Sequence, residues 1–364
     1  MATHKDTIWE IEPHTQAKHE ILRRYLGAWF PILGRYNKRV VYIDGFCGPG
    51  RYLRGEPGSP IIALQEAIQH GHRLTQNNLI FLFMDERPDR INHLAHELSS
   101  IPIPTNFTVR TVAGDFEKEL RQLLDKLDKQ GLQIAPTFAF VDPFGFKGLP
   151  FDLIQRLLKN PRTEVFVNIM ADSINRFLDH PDAQIRQHII ELFGTAKALE
   201  IASGSEDRIP ALRLLYQQQL TQCAKYVRYF EMRDVHNRTV YYLFFASNNS
   251  LGHLRMKEAF WKVDTSTGFL FSDATNPDQL VLFEYDETPT LAKELQARFV
   301  GQSLPVGQVQ RFVVDETAFL PSHMKAALRL LENNNGIVVE SLKQDGKKRR
   351  KNTFPDNVIV EFPK

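Results

Sequence analysis

Five short apolar runs alternate with stretches of helical periodicity, and this alternation limits the possible folds more than any other feature of the chain. Strands are predicted at residues 39–44, 79–84, 107–112, 137–141 and 165–170. Helices are predicted at residues 59–70, 88–98, 116–129 and 151–158. Strands that are apolar on both faces are typical of a parallel sheet covered by helices on both sides. The sequence therefore predicts an α/β domain.

The segments around this alternation favour one kind of α/β sheet. An amphipathic helix is predicted at residues 15–30, and two or three helices fill an insertion at about 172–222. Strands at 226–233 and 240–246 then follow closely. A closing hairpin after five strand–helix units is the ending expected of a Rossmann-like methyltransferase sheet, whereas a dinucleotide-binding dehydrogenase more often continues with crossovers. We assign residues 1–286 to this domain.

Residues 287–364 form a second predicted domain. Helical periodicity covers residues 291–299 and 322–332, and alternation typical of strands covers residues 336–343 and 357–362. Helices followed by a two-stranded hairpin are typical of a winged helix, so we interpret the domain as winged-helix-like.

Positive charge is concentrated in this second domain. Residues 289–364 contain 12 Lys+Arg and 8 Asp+Glu, while the remainder contains 33 and 35. A basic cluster lies between the two predicted strands, at Lys347, Lys348, Arg349, Arg350 and Lys351. We expect its side chains to contact the phosphate backbone of DNA or RNA. The alternatives are a solvated charge run or an import-like signal.

The cysteines and the hydropathy exclude several classes of protein. Cys47 and Cys223 are the only cysteines, with no CxxC and no Cys/His cluster, so we expect no disulfide framework and no metal. Cys47 is expected to be a small packing residue. The first residues lack the apolar run of a signal peptide, and no segment has the ~20 apolar residues that span a bilayer. We expect a cytoplasmic protein that does not enter a membrane.

A glycine-rich loop follows the first strand, in the sequence VVYIDGFCGPG. The strand ends at Asp44, and Gly45, Gly48 and Gly50 allow tight turning and close approach of a ligand. With Phe46, the pattern Asp-x-Phe-x-Gly-x-Gly resembles motif I of amino- and cytosine-methylating nucleic-acid methyltransferases. The resemblance implies that these five residues bind S-adenosylmethionine, with Gly48 and Gly50 under its methionine portion and Asp44 near its amino group. The alternative is a structural strand–turn–helix connection.

Further acidic residues follow the second and third strands. Asp85 and Glu86 end the run LIFLFMDE, where they would accept hydrogen bonds from the ribose hydroxyls of a nucleoside cofactor. Asp115, after the third strand, is expected to contact the adenine amino group. Each acid has an alternative role as a helix N-cap.

The fourth strand ends in FAFVDPFGFKG, at the edge where ligands bind in open α/β sheets. Asp142-Pro143-Phe144-Gly145 resembles the Asp/Asn-Pro-Pro-aromatic motif of exocyclic-amine methyltransferases, and is closer to the Asp-Pro-Phe-Gly of tRNA guanine-N2 methyltransferases. A carboxylate and a backbone carbonyl that accept the two amine protons make the nitrogen lone pair available, and Phe144 would stack on the base. The alternative is a capped turn.

Other polar side chains near the predicted strand ends have two interpretations. His14 and His19 would border the cleft or act as cap and surface residues. Asn168 and Asn175 would reach the substrate or make buried polar pairs.

Several segments together resemble the three-Cys-motif partner (TcmP) family, from Trp9 to Asp356. They are DTIWEIEPHTQAKHEILRRYLGAWFPIL, YIDGFCGPGRY, GEPGSP, FVDPFGFKGLPF and TFPD. The resemblance implies a bacterial protein with a methyltransferase-like fold and a separate partner that carries a three-cysteine motif, similar to radical S-adenosylmethionine enzymes.

Together these features predict an S-adenosylmethionine-dependent methyltransferase that acts on a nucleic-acid base, with an exocyclic amine as the candidate acceptor. Asp142 would accept from the reacting amine, Pro143 would shape its loop and Phe144 would stack. The rival hypothesis is a methyltransferase-shaped binding module without chemistry, and a nicotinamide-dependent oxidoreductase is a more distant third.

Overall fold

The chain forms two compact units. The computed structural model describes residues 6–204, 207–274, 287–340 and 348–364. The first unit comprises Met1–Ala259 with Leu270–Pro277, and the second comprises Phe260–Phe269 with Asp278–Lys364. The predicted boundary after residue 286 falls outside the described residues and stays a prediction.

The first unit is built on a mixed sheet of eight strands. These are β1 (Arg39–Asp44), β2 (Asn78–Asp85), β3 (Phe107–Ala113), β4 (Thr137–Val141), β5 (Thr163–Ile169), β6 (Tyr226–Arg233), β7 (Thr239–Ser247) and β8 (Leu270–Ser272). Their order is β3-β2-β1-β4-β5-β7-β6-β8. Strands β1 to β5 are parallel, and β7 lies antiparallel between β5 and β6. The first seven strands have the order of a Rossmann-like methyltransferase sheet, so the predicted fold class is confirmed.

Helices precede, connect and follow the strands of this sheet along the chain. They are α1 (Pro13–Tyr36), α2 (Ser59–Gln69), α3 (Pro88–Ser99), α4 (Phe116–Lys129), α5 (Phe151–Leu158), α6 (Ala171–Phe177), α7 (Ala183–Phe193), α8 (Lys197–Glu200), α9 (Arg208–Thr221) and α10 (Ser250–Val263). The helix predicted at 15–30 is the middle of the longer α1, and the insertion predicted at 172–222 holds α6 to α9. The Pro at the start of α1, α2 and α3 fits the first helical turn, where a missing N–H costs nothing.

The register of the sheet brings the predicted acids to one edge. Asp44 pairs with Phe83 on β2 and with Phe140 on β4, so Asp85 and Asp142 each lie two residues beyond its partners. The strand order reverses between β1 and β4, and such a switch point opens a crevice at the carboxyl ends of the strands.

The second unit has its own core, formed by helices and a small sheet. Beyond the end of α10, its elements are α11 (Thr288–Phe299), β9 (Ser303–Pro305), α12 (Val306–Glu316), α13 (Pro321–Asn333), β10 (Val338–Val339) and β11 (Ile359–Glu361). The three strands form an antiparallel sheet in the order β10-β11-β9. The predicted strands at 336–343 and 357–362 contain β10 and β11, and most of the connection that would form a wing tip, residues 341–347, lies outside the described residues. The winged-helix interpretation stays a prediction.

No helix in the described part of the chain is both long enough and apolar enough to cross a membrane.

Candidate functional site

The loop at residues 44–50 needs its glycines for two reasons, backbone conformation and close packing. Gly48 and Gly50 have φ angles of 63° and 87°, in the left-handed region that favours glycine. At Gly45 the φ angle is ordinary, but a Cβ atom would stand 2.5 Å from the ring of Phe116. A Cβ at Gly50 would meet Leu94 at 2.7 Å. The loop is therefore folded tightly between α3 and α4, as its sequence pattern predicts.

A cavity of about 360 Å³ opens beside this loop. It lies at the carboxyl edge of the sheet and receives residues that follow β1, β2, β3 and β4. Its lining includes Gly45, Phe46, Glu86, Asp115, Phe146 and His188. Aromatic rings and a few carboxylates around a cleft of this size suit a nucleoside.

Asp115 combines the two roles that its sequence position allows. Its Oδ1 atom accepts a hydrogen bond of 2.8 Å from the backbone N–H of Lys118, so it is the N-cap of α4. It also lines the cavity, and its Oδ2 atom lies 3.6 Å from the position of a Cβ at Gly148. Capping fixes the carboxylate at the cavity wall and leaves Oδ2 toward the loop that follows β4.

The two acids at the end of β2 differ in their surroundings. The sequence predicts Asp85 and Glu86 at the ribose. The Oδ2 of Asp85 accepts from the N–H of Gly48 at 3.1 Å and its Oδ1 from the N–H of Arg87 at 2.9 Å. The side chain is buried and lies 3.7 Å from the Arg90 guanidinium. Glu86, by contrast, is exposed and lines the cavity. Glu86 therefore lines the cavity, whereas Asp85 holds the 44–50 loop in place, and the ribose contact itself stays a prediction.

Replacing Glu86 with glutamine should weaken binding of S-adenosylhomocysteine about tenfold, because charge-assisted hydrogen bonds to hydroxyls are stronger than neutral ones. The melting temperature of the free protein should stay unchanged, because Glu86 is exposed. Asp85→Asn is the matched control, since it should lower the melting temperature by weakening the bond to Gly48. Calorimetric titration and thermal melts measure both quantities. If Asp85→Asn lost as much affinity as Glu86→Gln and kept the melting temperature of the parent, the ribose contact would be assigned to Asp85.

Asp44 lies fully buried at the start of the loop. Its carboxylate is approached by the N–H of Phe46 at 3.4 Å and the hydroxyl of Tyr42 at 3.5 Å. Burial raises the pKa of Asp44 to about 7, and the carboxylates of Asp142 and Asp85 add to the increase. An ammonium group placed beside Asp44 would favour its charged form. The predicted contact to the amino group of a methionine portion stays a prediction.

Asp142 follows β4 directly and is held by two partners from other elements. Lys18 of α1 forms an ion pair with its Oδ2 atom, and the Nδ2 of Asn168 on β5 donates to its Oδ1 at 2.6 Å. Only 6% of the Lys18 side chain and 19% of the Asp142 side chain are exposed. The ion pair and the amide hydrogen bond together hold the carboxylate in place at the end of β4.

A tyrosine ring and an imidazole lie next to this pair. The ammonium of Lys18 lies 5.2 Å from the centre of the Tyr241 ring. Burial, reinforced by the neighbouring ammonium, lowers the pKa of His19 to about 3, so its imidazole is neutral. His14 faces elsewhere, since its Nδ1 is 2.7 Å from an oxygen of Asp273. Of the two predicted histidines, His19 is the one that borders the Lys18–Asp142 pair.

Phe144 lies on the loop at residues 142–148 and keeps 42% of its surface exposed. Pro143 before it is buried, and Gly145 has a φ angle of 107° that turns the chain after the ring. One edge of Phe144 meets the ring of Trp9 at a centroid distance of 5.7 Å. Part of the ring thus stays exposed to solvent, as stacking on a ligand requires.

Cys47, Asn168 and Asn175 can also be placed. Cys47 is buried, and burial raises the pKa of its thiol well above the usual value, so the expected packing role fits and a nucleophile does not. Asn168 reaches Asp142, whereas Asn175 has no contact with that carboxylate among the hydrogen bonds of the described residues. Within residues 6–204, 207–274, 287–340 and 348–364, no group of His, Cys, Asp or Glu could hold a metal ion.

The structure also corrects the basic cluster of the second unit. Arg349 is buried and forms an ion pair with Glu332 of α13. Its guanidinium further donates to the carbonyls of Glu340 and Thr353, both at 2.9 Å. Arg349 therefore stabilises the interior of the unit and does not contact phosphate.

The other cluster residues keep their predicted role as a hypothesis. Lys348, Arg350 and Lys351 are exposed, and Lys347 lies outside the described residues.

Comparisons with known proteins give only distant similarities. No family model matches the chain, and no curated protein matches it. Among solved structures, a Legionella pneumophila protein is 12% identical with a TM-score of 0.39, covering 65% of this chain and 86% of its own. A Bacillus cereus O-methyltransferase in complex with SAH is 13% identical with a TM-score of 0.35, covering 65% and 82%.

A third neighbour is human methyltransferase-like protein 13 in complex with SAH. It is 10% identical with a TM-score of 0.36, covering 74% of this chain and 97% of its own. Scores at this level add no argument about activity, and the fold class rests on the strand order described above.

Proposed function

We propose that the first unit is an S-adenosylmethionine-dependent methyltransferase whose acceptor is a nucleic-acid base. The observation that carries the proposal is that the predicted groups lie at one edge of the sheet. Glu86 and Asp115 line the cavity there, and the carboxylate of Asp44 is buried. Asp142, paired with Lys18, follows β4 at the same edge, and Phe144 comes two residues later.

The residues present fit this cofactor. Glu86 would bind the ribose, Asp115 the adenine amino group, and Asp44 the methionine ammonium. The rings of Phe46 and Phe146 lie in the lining of the same cavity, where they would pack against the adenine. Bound there, the cofactor supplies an electrophilic methyl group on a sulfonium.

The acceptor side is formed by the 142–148 loop. An exocyclic amine would donate a hydrogen bond to Asp142, which increases the electron density on the nitrogen, and its ring would stack on Phe144. Lys18 forms an ion pair with Asp142 and holds its carboxylate in place. Removing the base from a duplex would cost a few kcal/mol, so single-stranded acceptors are favoured.

A binding module without chemistry is the second candidate. It is favoured by the occupation of both Asp142 oxygens by Lys18 and Asn168. A carboxylate has about four lone-pair directions, however, so each oxygen can accept one more hydrogen bond. In both candidates the resemblance to the TcmP family implies a partner protein with a three-cysteine motif, and the second unit would contact DNA or RNA.

Binding of S-adenosylhomocysteine should raise the melting temperature of the protein by several degrees, because a ligand of the native state stabilises it by mass action. Side-by-side thermal shifts with S-adenosylmethionine, S-adenosylhomocysteine and NAD measure this. Stabilisation by NAD alone would refute the proposal, and no shift with any ligand would favour the binding module.

The pH dependence of this binding is a control on the role of Asp44. Because the pKa of Asp44 in the free protein is raised to about 7, its ionised fraction increases between pH 6 and 8, and affinity for the ammonium-bearing ligand should increase with it. Asp44→Asn should abolish this increase.

A further inference from the structure

The N-terminal segment at residues 7–10 lies across both loops of the site. The backbone carbonyl of Trp9 accepts from the N–H of Leu53 at 2.9 Å, just beyond the 44–50 loop. Beside it, Glu10 pairs with Arg54 at 2.9 Å, and the hydroxyl of Thr7 donates to Asp89 at 2.5 Å. The segment is therefore anchored at residues 53–54, just after the 44–50 loop, and at the start of α3.

This anchoring places the Trp9 ring between the two loops. A Cβ atom on Gly48 would stand 3.7 Å from the Cη2 of Trp9, so the indole lies directly against the 44–50 loop. The same indole meets Phe144 edge-on, with 76° between the ring planes, and meets Tyr52 edge-on as well. Trp9 is in contact with both loops.

Arg90 forms a second connection between the same loops. Its guanidinium lies 4.8 Å from the centre of the Trp9 ring and 5.5 Å from that of Phe144. It is also 3.7 Å from the Oδ2 of Asp85, the atom that accepts from the N–H of Gly48. A chain of contacts thus runs from the backbone of Gly48 through Asp85 and Arg90 to the ring of Phe144.

We propose that Trp9 and Arg90 are positioning residues of the acceptor site, which hold Phe144 as a stacking platform for a planar heteroaromatic ring and couple it to the 44–50 loop. This proposal rests on the proposed function and deepens it. A ring fixed on one side by an indole and a guanidinium keeps its exposed part in one orientation, so a stacked base loses less freedom on binding.

The same contacts imply cooperativity between the two ligands. A cofactor that orders the 44–50 loop also fixes Gly48 and, through Asp85 and Arg90, the platform. By linkage, a base stacked on Phe144 must then tighten cofactor binding by the same factor. Coupling of about tenfold is within the usual range for two sites joined by packed side chains.

The test uses the full chain and nucleoside 5′-monophosphates of adenine, guanine, cytosine and uracil as probes. The fluorescence of Trp9 is obtained as the difference between the parent and Trp9→Phe. We expect at least one nucleotide to quench this signal, and its dissociation constant to fall about tenfold when S-adenosylhomocysteine is saturating. In Arg90→Lys, which keeps the charge beside Asp85 but loses the planar guanidinium, the tenfold coupling should fall to about twofold or less.

Methyl transfer supplies a second readout. With total bacterial RNA and DNA as acceptors, Trp9→Ala should raise the KM for the acceptor about tenfold at nearly unchanged kcat, and Trp9→Phe should recover part of the loss. Tyr36→Ala, which removes an exposed aromatic residue from the end of α1, is the matched control and should change nothing.

The outcomes separate the two proposals. In one outcome the parent binds S-adenosylhomocysteine and methylates RNA or DNA, but Trp9→Ala has the parent's KM and Arg90→Lys has the parent's coupling. This outcome overturns the positioning role and leaves the proposed function. Absence of nucleotide quenching, or equal nucleotide affinity with and without S-adenosylhomocysteine, overturns it as well. A parent that binds no S-adenosylhomocysteine overturns both the coupling and the proposed function.

Discussion

Asp142→Asn should lower the rate of methyl transfer by about 10²–10³-fold and leave the affinity for S-adenosylhomocysteine within about threefold of the parent. The amide keeps the shape of the side chain but removes the charge that the amine would use. The carboxylate lies at the end of β4, outside the residues that line the cavity beside the 44–50 loop, so cofactor binding should not depend on it. Incorporation of labelled methyl groups into RNA and DNA, with calorimetric titration of the ligand, measures both effects.

Lys18 provides the internal control for this prediction. Lys18→Met removes the ammonium that pairs with the carboxylate of Asp142, so the carboxylate is then held only by Asn168. The rate of methyl transfer should therefore fall about tenfold, while the affinity for S-adenosylhomocysteine stays near that of the parent. A merely structural lysine would lower stability without changing the rate of methyl transfer. Full activity of Asp142→Asn on every acceptor would refute the catalytic role and leave the binding module.

The fold can be predicted from local patterns because the sheet is buried. Strand β1 is exposed only at Arg39, and β4 and β5 are buried throughout, so most of their residues are apolar. The pattern does not predict α12. Its sequence VGQVQRFVVDE carries four valines, which favour strands, and only the packing of Val306, Val309 and Val313 into the second core makes it a helix.

The site is predictable where a motif lies within one loop and not where it depends on distant residues. The 44–50 and 142–148 loops contain their own signals. Of Asp85 and Glu86, one accepts a hydrogen bond from Gly48 and the other lines the cavity. The two residues are adjacent at one strand end, and no local feature of the sequence shows which of them does which. Lys18 is 124 residues from Asp142, so only the completed sheet with α1 across it brings the two together.

Arg349 and its exposed neighbours should respond to substitution in opposite ways. Arg349→Met leaves Glu332 buried without its partner, and breaking a buried pair costs about 3–5 kcal/mol. It also removes hydrogen bonds to the carbonyls of Glu340, just after β10, and Thr353, before β11. We therefore expect the second unit to unfold at a clearly lower temperature, as followed by hydrogen exchange of α11 to α13.

Replacing Lys347, Lys348, Arg350 and Lys351 together with alanine should leave that stability unchanged, because the three of them that the structure describes are exposed. Binding to nucleic acid should instead weaken about equally for all sequences, since phosphate contacts position a protein without reading bases. On duplex DNA the log–log dependence of affinity on salt should flatten by ~0.9 for each phosphate that the variant no longer neutralises, and on single strands by ~0.7. Titrations at several salt concentrations, parent against variant, measure the slope. An unchanged slope would mean that these four side chains are a solvated turn, and that nucleic acid, if it is the substrate, is held by the first unit alone.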